Sequence, residues 1–178
     1  MRTDARIKGW CGNSRGFTLF EIIAVLVIAG ILASVAYVMT RDMDARLYSE
    51  TEVIKSHLRY AQTRAMNRTD LNALLPIPWG INCDGNQYWL FQGTNPDIEA
   101  NIQVLPDMAA GGDKKVVLAT KKVGLSPSPF TVFFDARGIP YSAYGTTPTP
   151  WAGNITVSDP DSGHTRTITI TPLTGFIP

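Results

Sequence analysis

Residues 17–40 read FTLFEIIAVLVIAGILASVAYVMT, an apolar run carrying one charge, Glu21, and bounded by Arg15 and Arg41. As a helix rising 1.5 Å per residue, such a run reaches about 36 Å, more than a hydrocarbon core of about 30 Å. The run therefore predicts a membrane-spanning helix. Arg2, Arg6, Lys8 and Arg15 against Asp4 give residues 1–16 a net charge of +3, so the whole-chain value of +1 leaves −2 for the rest. The positive-inside bias keeps that basic segment cytoplasmic and places the chain beyond the span outside the cytoplasm.

Two ordinary explanations fit poorly. A secretory signal has an apolar stretch of about 7–15 residues and a small-residue cleavage site. This run is longer and has no A-x-A-like end before Arg41. A plain anchor has no use for Glu21, because a carboxylate in an apolar span costs up to about 2.5–3.5 kcal/mol and is kept where it has a partner.

Beyond Arg41 the pattern becomes amphipathic. Leu47, Ile54, Leu58, Ala61 and Ala65 recur at helical spacing, with Arg46, Glu50, Lys55, Arg59 and Arg64 around them. Thr69-Asp70, Pro76 and Pro78 end the pattern, so one helix is expected over residues 17–67, roughly 75 Å long at 1.5 Å per residue. The remainder reads as short strands separated by turns. Residues 79–82 and 87–92 flank Cys83-Asp84-Gly85-Asn86, a hairpin with Asp-Gly in its turn. Residues 101–105 and 116–120 are further strands; 130–134 and 139–144 bracket Asp135-Ala136-Arg137-Gly138, and 154–158 and 166–171 bracket Asp159-Pro160-Asp161-Ser162-Gly163. Residues 142–153, rich in Gly, Thr and Pro, are expected as a surface loop. The fold class is α+β: a long N-terminal α-helix, its first half transmembrane, with a mostly antiparallel β-sheet head packed on its second half.

The chemistry is sparse. Cys11 and Cys83 are the only cysteines, and Cys83 is expected as a buried hydrophobe. His57 and His164 stand in no metal-binding spacing, and no nucleophile elbow, P-loop or dinucleotide fingerprint occurs. Asp159-Pro160-Asp161-Ser162-Gly163 lacks the acidic last ligand of a calcium loop, since Ile170 stands there; it reads as a turn. No enzyme centre, metal site, cofactor or small-molecule substrate is predicted, and a net charge of +1 offers no nucleic-acid footprint.

Arg15-Gly16-Phe17-Thr18-Leu19-Phe20-Glu21 resembles the class III signal of type IV pilins and type II secretion pseudopilins. The resemblance implies that a membrane-embedded prepilin peptidase cuts between Gly16 and Phe17 and methylates Phe17. It implies that Glu21 pairs with a neighbouring subunit's terminal amine during filament assembly. A buried amine and carboxylate are each costly alone and offset one another as a pair. Gly30 lies within the span, where glycine costs about 1 kcal/mol relative to Ala. Many pilins also carry a proline near the end of the span; Ala36-Tyr37-Val38-Met39 has none, so the resemblance does not carry over a melted segment between the two.

A narrower resemblance links Leu58-Arg59-Tyr60-Ala61-Gln62-Thr63-Arg64-Ala65-Met66, Val132-Phe133-Phe134-Asp135-Ala136-Arg137-Gly138-Ile139-Pro140 and the closing segment through Gly175 to the H-type minor pseudopilins, the GspH/FimT family. Gln62 stands where that pattern often has arginine. The implied organisation is a leader over 1–16, a transmembrane and assembly helix over 17–40, an amphipathic continuation over 41–68 and a β-rich head over 69–178. The implied protein is a structural minor pseudopilin for type II secretion, single-pass in the bacterial inner membrane, its head in the periplasm or an extracellular filament. Its partners are the peptidase, other pilin subunits and inner-membrane lipid. A minor type IV pilin in pilus assembly or DNA uptake is the alternative; relatives resembling FimT use basic residues near the C-terminus for DNA, and this tail offers only His164 and Arg166.

Overall fold

The computed structural model of the chain describes residues 18–67, 77–108 and 113–178, with backbone alone given for 38–44. Two units are distinguished, residues 1–40 and 41–178. Helix α1 runs Leu19–Met66 and is unbroken at Gly30, where a Cβ would meet nothing within 4 Å. In the first unit, none of the side chains of Leu19–Tyr37 is buried.

In the second unit α1 buries the expected stripe, Leu47, Ile54, Leu58, Ala61 and Ala65, together with two polar residues, Thr51 and His57. The Thr51 hydroxyl donates to the Leu47 carbonyl at 2.6 Å, which satisfies it within the helix. Among the described residues ten strands follow in chain order: β1 (Trp79–Cys83), β2 (Gln87–Gln92), β3 (Ile102–Gln103), β4 (Lys115–Val117), β5 (Gly124–Ser126), β6 (Phe130–Phe134), β7 (Pro140–Ala143), β8 (Thr149–Pro150), β9 (Asn154–Ser158) and β10 (Thr165–Thr169). They form two antiparallel sheets. The larger has the order β3-β2-β1-β6-β7-β8, with β4 also on β2; the smaller is β10-β9-β5.

Period-two alternation sends Ile81, Cys83, Tyr88, Leu90, Val132 and Phe134 of the larger sheet into one core with the α1 stripe. Ile155, Val157 and Ile168 of the smaller sheet join it. The larger sheet's opposite face is apolar as well: Trp89, Phe91, Ile102 and Phe133 form a second cluster with Tyr141 and Tyr144 against it. Gly80 is opposite both Phe91 and Phe133, whose rings meet edge to face at 5.2 Å. A Cβ on Gly80 would lie 2.8 Å from the Phe91 ring and collide with the Val132 carbonyl; the glycine makes room for that aromatic pair.

Polar clasps fasten the head to the helix. The Gln62 amide donates to the carbonyls of Gly138 at 2.9 Å and Gly175 at 3.0 Å. Gly138 closes the turn between β6 and β7, and Gly175 follows β10, so one side chain ties both sheets' ends to α1. Arg59 donates to the Ile177 carbonyl at 3.0 Å, and Ile177 is buried. At the other end, Arg46 pairs with the buried Asp159 at 2.7 Å. His57 bridges Asp107, 2.9 Å from Nε2, and the Tyr88 hydroxyl, 3.0 Å from Nδ1. Because a carboxylate only accepts, Nε2 carries the proton and Nδ1 accepts from Tyr88.

The first hairpin and the pairs around Asp135 and Asp159 form where expected. Four expectations need correction. Of residues 101–105 only Ile102–Gln103 is strand, paired with Phe91 and Leu90, and Asn101 ends a short 3-10 turn instead. Residues 116–120 do not form one strand: pairing stops at Val117 because its partner Gln87 is the first residue of β2. The chain then makes a single turn, α2 (Leu118–Lys121), closed by Lys122 at φ 53°. Residues 142–153 are not all surface loop. Thr149–Pro150 pairs with β7, and Trp151 is buried against Phe130, an aromatic anchor hidden inside a Gly/Thr/Pro-rich composition. Strand β5 lies outside the expected set, since three residues are too few to display alternation.

Two consequences can be measured. Burial pushes the His57 imidazole below its ordinary value, outweighing the raising pull of Asp107; Lys121 also lowers it and Glu50 raises it. The unfolded chain then binds more protons than the folded one below about pH 6.5, so stability is full above that pH and falls as pH drops through it. Denaturant unfolding across pH 5–7.5 should show this slope, and His57→Gln, which keeps a donor and an acceptor, should flatten it. Gly175 sits at φ +65°, and a Cβ there would strike the Gly138 carbonyl. Gly175→Ala should cost about 1–3 kcal/mol from the left-handed backbone alone, and more from the collision; an unchanged denaturation midpoint contradicts this.

Candidate functional site

Among the described residues of the first unit, those that bear chemistry lie at the start of α1. Thr18 precedes the helix, and its Oγ1 accepts from the Glu21 backbone N–H at 3.2 Å. Threonine before the helix with glutamate three residues on is the capping-box spacing. Its signal in the sequence is T-x-x-E at Thr18 and Glu21, a cue that reading Glu21 as an isolated charge passes over. Glu21 is also the acidic residue of the first helical turn, where a carboxylate complements the exposed amides and positive end of the helix. Its side chain is exposed among exposed apolar neighbours. The structure thus presents a carboxylate beside Phe20, Ile22 and Val25 on a helix start. Gly16 and Phe17 lie outside the described residues, so the cleavage and methylation positions carry no geometry, and neither does Cys11.

The 19-residue segment Leu19–Tyr37 is long and apolar enough to cross a membrane, by length and composition. At 1.5 Å per residue it reaches about 28 Å, close to a hydrocarbon core.

Reactive chemistry in the second unit would have to come from few groups. The chain Asp107–His57–Tyr88 has the connectivity of a nucleophile relay, yet Tyr88 is 2% exposed. Burial, with Asp107 and Glu50 nearby, pushes the phenol pKa up. Its hydroxyl donates a hydrogen bond and is sealed from substrate; the relay is a structural bridge from α1 to β2. Cys83 is fully buried and its thiol is pushed up by burial, away from reactive thiolate character. Among the described residues no group of three His, Cys, Asp or Glu could hold a metal ion.

The turn acids have other duties. Asp159 Oδ1 accepts from the Asp161 backbone N–H at 2.8 Å, and Oδ2 pairs with Arg46. Those bonds, the Asp161 amide first, hold the carboxyl below its ordinary range. Asp135 organises the β6–β7 turn, accepting from the backbone of Arg137 and Ile139 and from the Arg137 guanidinium at 3.2 Å. Arg166, the residue that would face a phosphate, instead lies over the Tyr48 ring at 4.5 Å. Arg64 stacks on Trp79 and Lys115 on Trp89. Much of the head's positive charge is committed to internal partners.

Residues 11–37 match the prokaryotic N-terminal methylation motif. No curated protein and no solved structure matches the chain. The motif covers the apolar helix start, Glu21 and the unplaced Gly16-Phe17 junction together. The motif is that of type IV pilin-like prepilin leaders, and it implies processing by a prepilin peptidase and assembly with other pilin subunits.

Proposed function

We propose that the chain is a structural minor pseudopilin of the H type, cut between Gly16 and Phe17, methylated on Phe17 and built into an inner-membrane filament for type II protein secretion. One observation carries this reading: the methylation motif takes in a helical segment, Leu19–Tyr37, whose apolar side chains have no covering within the described chain. Such a surface is satisfied by lipid or by other helices of its kind. Glu21 then serves twice, as the acidic group in the first turn of its own helix and as carboxylate to a neighbour's terminal amine. Residues 1–16 are the leader, 17–40 the transmembrane and assembly helix, 41–68 its amphipathic continuation and 69–178 the head. No bond-making constellation accompanies them among the described residues, so the role is assembly through helix bundling and head contacts. The pattern of Leu58–Met66, the Asp135 turn and the Gly175 turn supports the GspH/FimT assignment.

The reading is tested by intact mass after membrane extraction, which should give a chain beginning at Phe17 with one added methyl group. A chain beginning after Ala33 or Ala36 identifies an ordinary signal peptide and overturns it. Glu21→Gln leaves the Thr18 cap in place, keeps a polar group in the first turn and removes the charge. It should be cut and inserted as wild type but incorporate into filaments at least about tenfold less, because the partner amine is left uncompensated. Normal incorporation would rule out the amine–carboxylate pair.

The DNA-uptake alternative makes the opposite demand on the head. With Arg137 held by Asp135 and Arg166 stacked on Tyr48, few uncompensated cations remain to release counterions. The detergent-solubilised chain should show no measurable duplex DNA binding at physiological salt. Tight, salt-steep binding that is lost in Arg166→Ala favours the DNA-uptake pilin.

A further inference from the structure

Three edges of the two sheets are guarded. Strand β3 has two residues and β4 three, both beside β2; β8 has two residues, one of them Pro150; β5 has three, followed at once by Pro127. Short strands and proline are the usual protection against unwanted pairing. The fourth edge is β10, five residues of sequence TRTIT without proline or lysine.

The hydrogen-bond phase of β10 follows from its register. The Asp159 N–H donates to the His164 carbonyl at 2.9 Å, and the pairing continues as Thr165 with Ser158, Arg166 with Val157, Thr167 with Thr156, Ile168 with Ile155 and Thr169 with Asn154. Antiparallel pairs alternate between bonded and non-bonded. Arg166 and Ile168 therefore exchange bonds with β9, and the N–H and C=O groups of Thr165, Thr167 and Thr169 point away from it. The next group in the same phase, the Thr171 N–H, is taken by the Phe176 carbonyl at 2.9 Å, which sets one limit of the open stretch. Among the described residues nothing pairs with the outward groups before it. Thr165, Thr167 and Thr169 are exposed while Ile168 is buried. Arg166, whose charge could guard the edge, shares the face of Ile168 and is drawn over Tyr48.

We propose that the β10 edge is a docking edge that receives an extended segment of a neighbouring filament subunit, added as a further strand through main-chain bonds to Thr165, Thr167 and Thr169. The inference rests on the filament reading above. Main-chain bonds to three residues are individually modest and do not meet the cost of free association. A neighbour already tethered in the same filament has most of that cost removed, which selects it over a diffusing partner. The added strand should place apolar or acidic side chains beside Ile168 and Arg166 and polar, β-branched ones beside the threonines.

The test compares residue-resolved amide exchange of the full chain as a detergent-solubilised monomer and in the native assembly. Thr165, Thr167 and Thr169 should exchange fast in the monomer and slow by about tenfold or more in the assembly, with Arg166 and Ile168 protected in both. Thr167→Pro deletes an outward donor and spares the β9 ladder. It should be processed normally but incorporate several-fold less, while Thr167→Ala matches wild type. A wild-type chain that is not cut at Gly16 overturns the filament reading and the docking edge with it. A chain that is cut and incorporated, with these three amides still exchanging fast in the assembly, overturns the docking edge alone.

Discussion

Two sheets that share no strand are held as one head by a single helix face. The stripe Leu47, Ile54, Leu58, Ala61 and Ala65 supplies the apolar floor onto which the larger sheet brings Ile81, Leu90, Val132 and Phe134 and the smaller brings Ile155, Val157 and Ile168. Burial of this area is the main favourable term, worth about 1.5–3 kcal/mol for each large side chain. It is non-directional, however, and would not by itself fix where each sheet stops. Direction comes from polar bonds at the rim. Gln62 reaches the carbonyls of Gly138 and Gly175, so the ends of both sheets meet at one amide. A buried carbonyl without a partner costs about 1–3 kcal/mol, which is why this residue acts as a clasp and not merely as a contact.

The same economy governs the head's charge. Asp135 and Asp159 each organise a turn by accepting backbone N–H groups, then recruit an arginine with the oxygen left over. Several of the cations not taken by those acids rest on aromatic faces. The result is a surface on which charge has been consumed by structure. Recognition by such a head falls to shape and main chain rather than to a field that draws in a charged partner.

How much of this could be read in advance depended on the range of the interactions. The span, the helical stripe, the Asp84-Gly85 hairpin and the turns at Asp135 and Asp159 are local, because each pattern is contained in its own stretch of chain. Strand β5 and the turn at Leu118 are set by what lies across the sheet, namely where β9 offers a partner and where β2 begins. Trp151 shows the weakness of composition as a guide: one large aromatic in a loop-like run decides that the run folds inward. The second aromatic cluster was hidden for another reason. Phe91 and Phe133 fall on the polar phase of a two-residue period, and only the gap at Gly80 reveals that the phase is filled. Gln62 departs from the arginine of the pattern and acts as a clasp on two carbonyls distant in sequence, which no local rule predicts. At the N-terminus, the T-x-x-E spacing of Thr18 and Glu21 was present in the sequence but overshadowed by the charge itself.

Ile177 belongs to the core: its side chain is buried and its carbonyl is held by Arg59 on α1. The helix is synthesised first and its apolar face is among the first surfaces the head requires, yet the segment that seals that face is translated long after it. Completion of the head therefore waits on synthesis through Ile177, which adds the last apolar side chain to a core the two sheets have already laid on the stripe. A stop codon just ahead of Ile177 removes the seal rather than trimming a tail. It opens the core at one point beside α1 and leaves the Arg59 guanidinium without the carbonyl it holds.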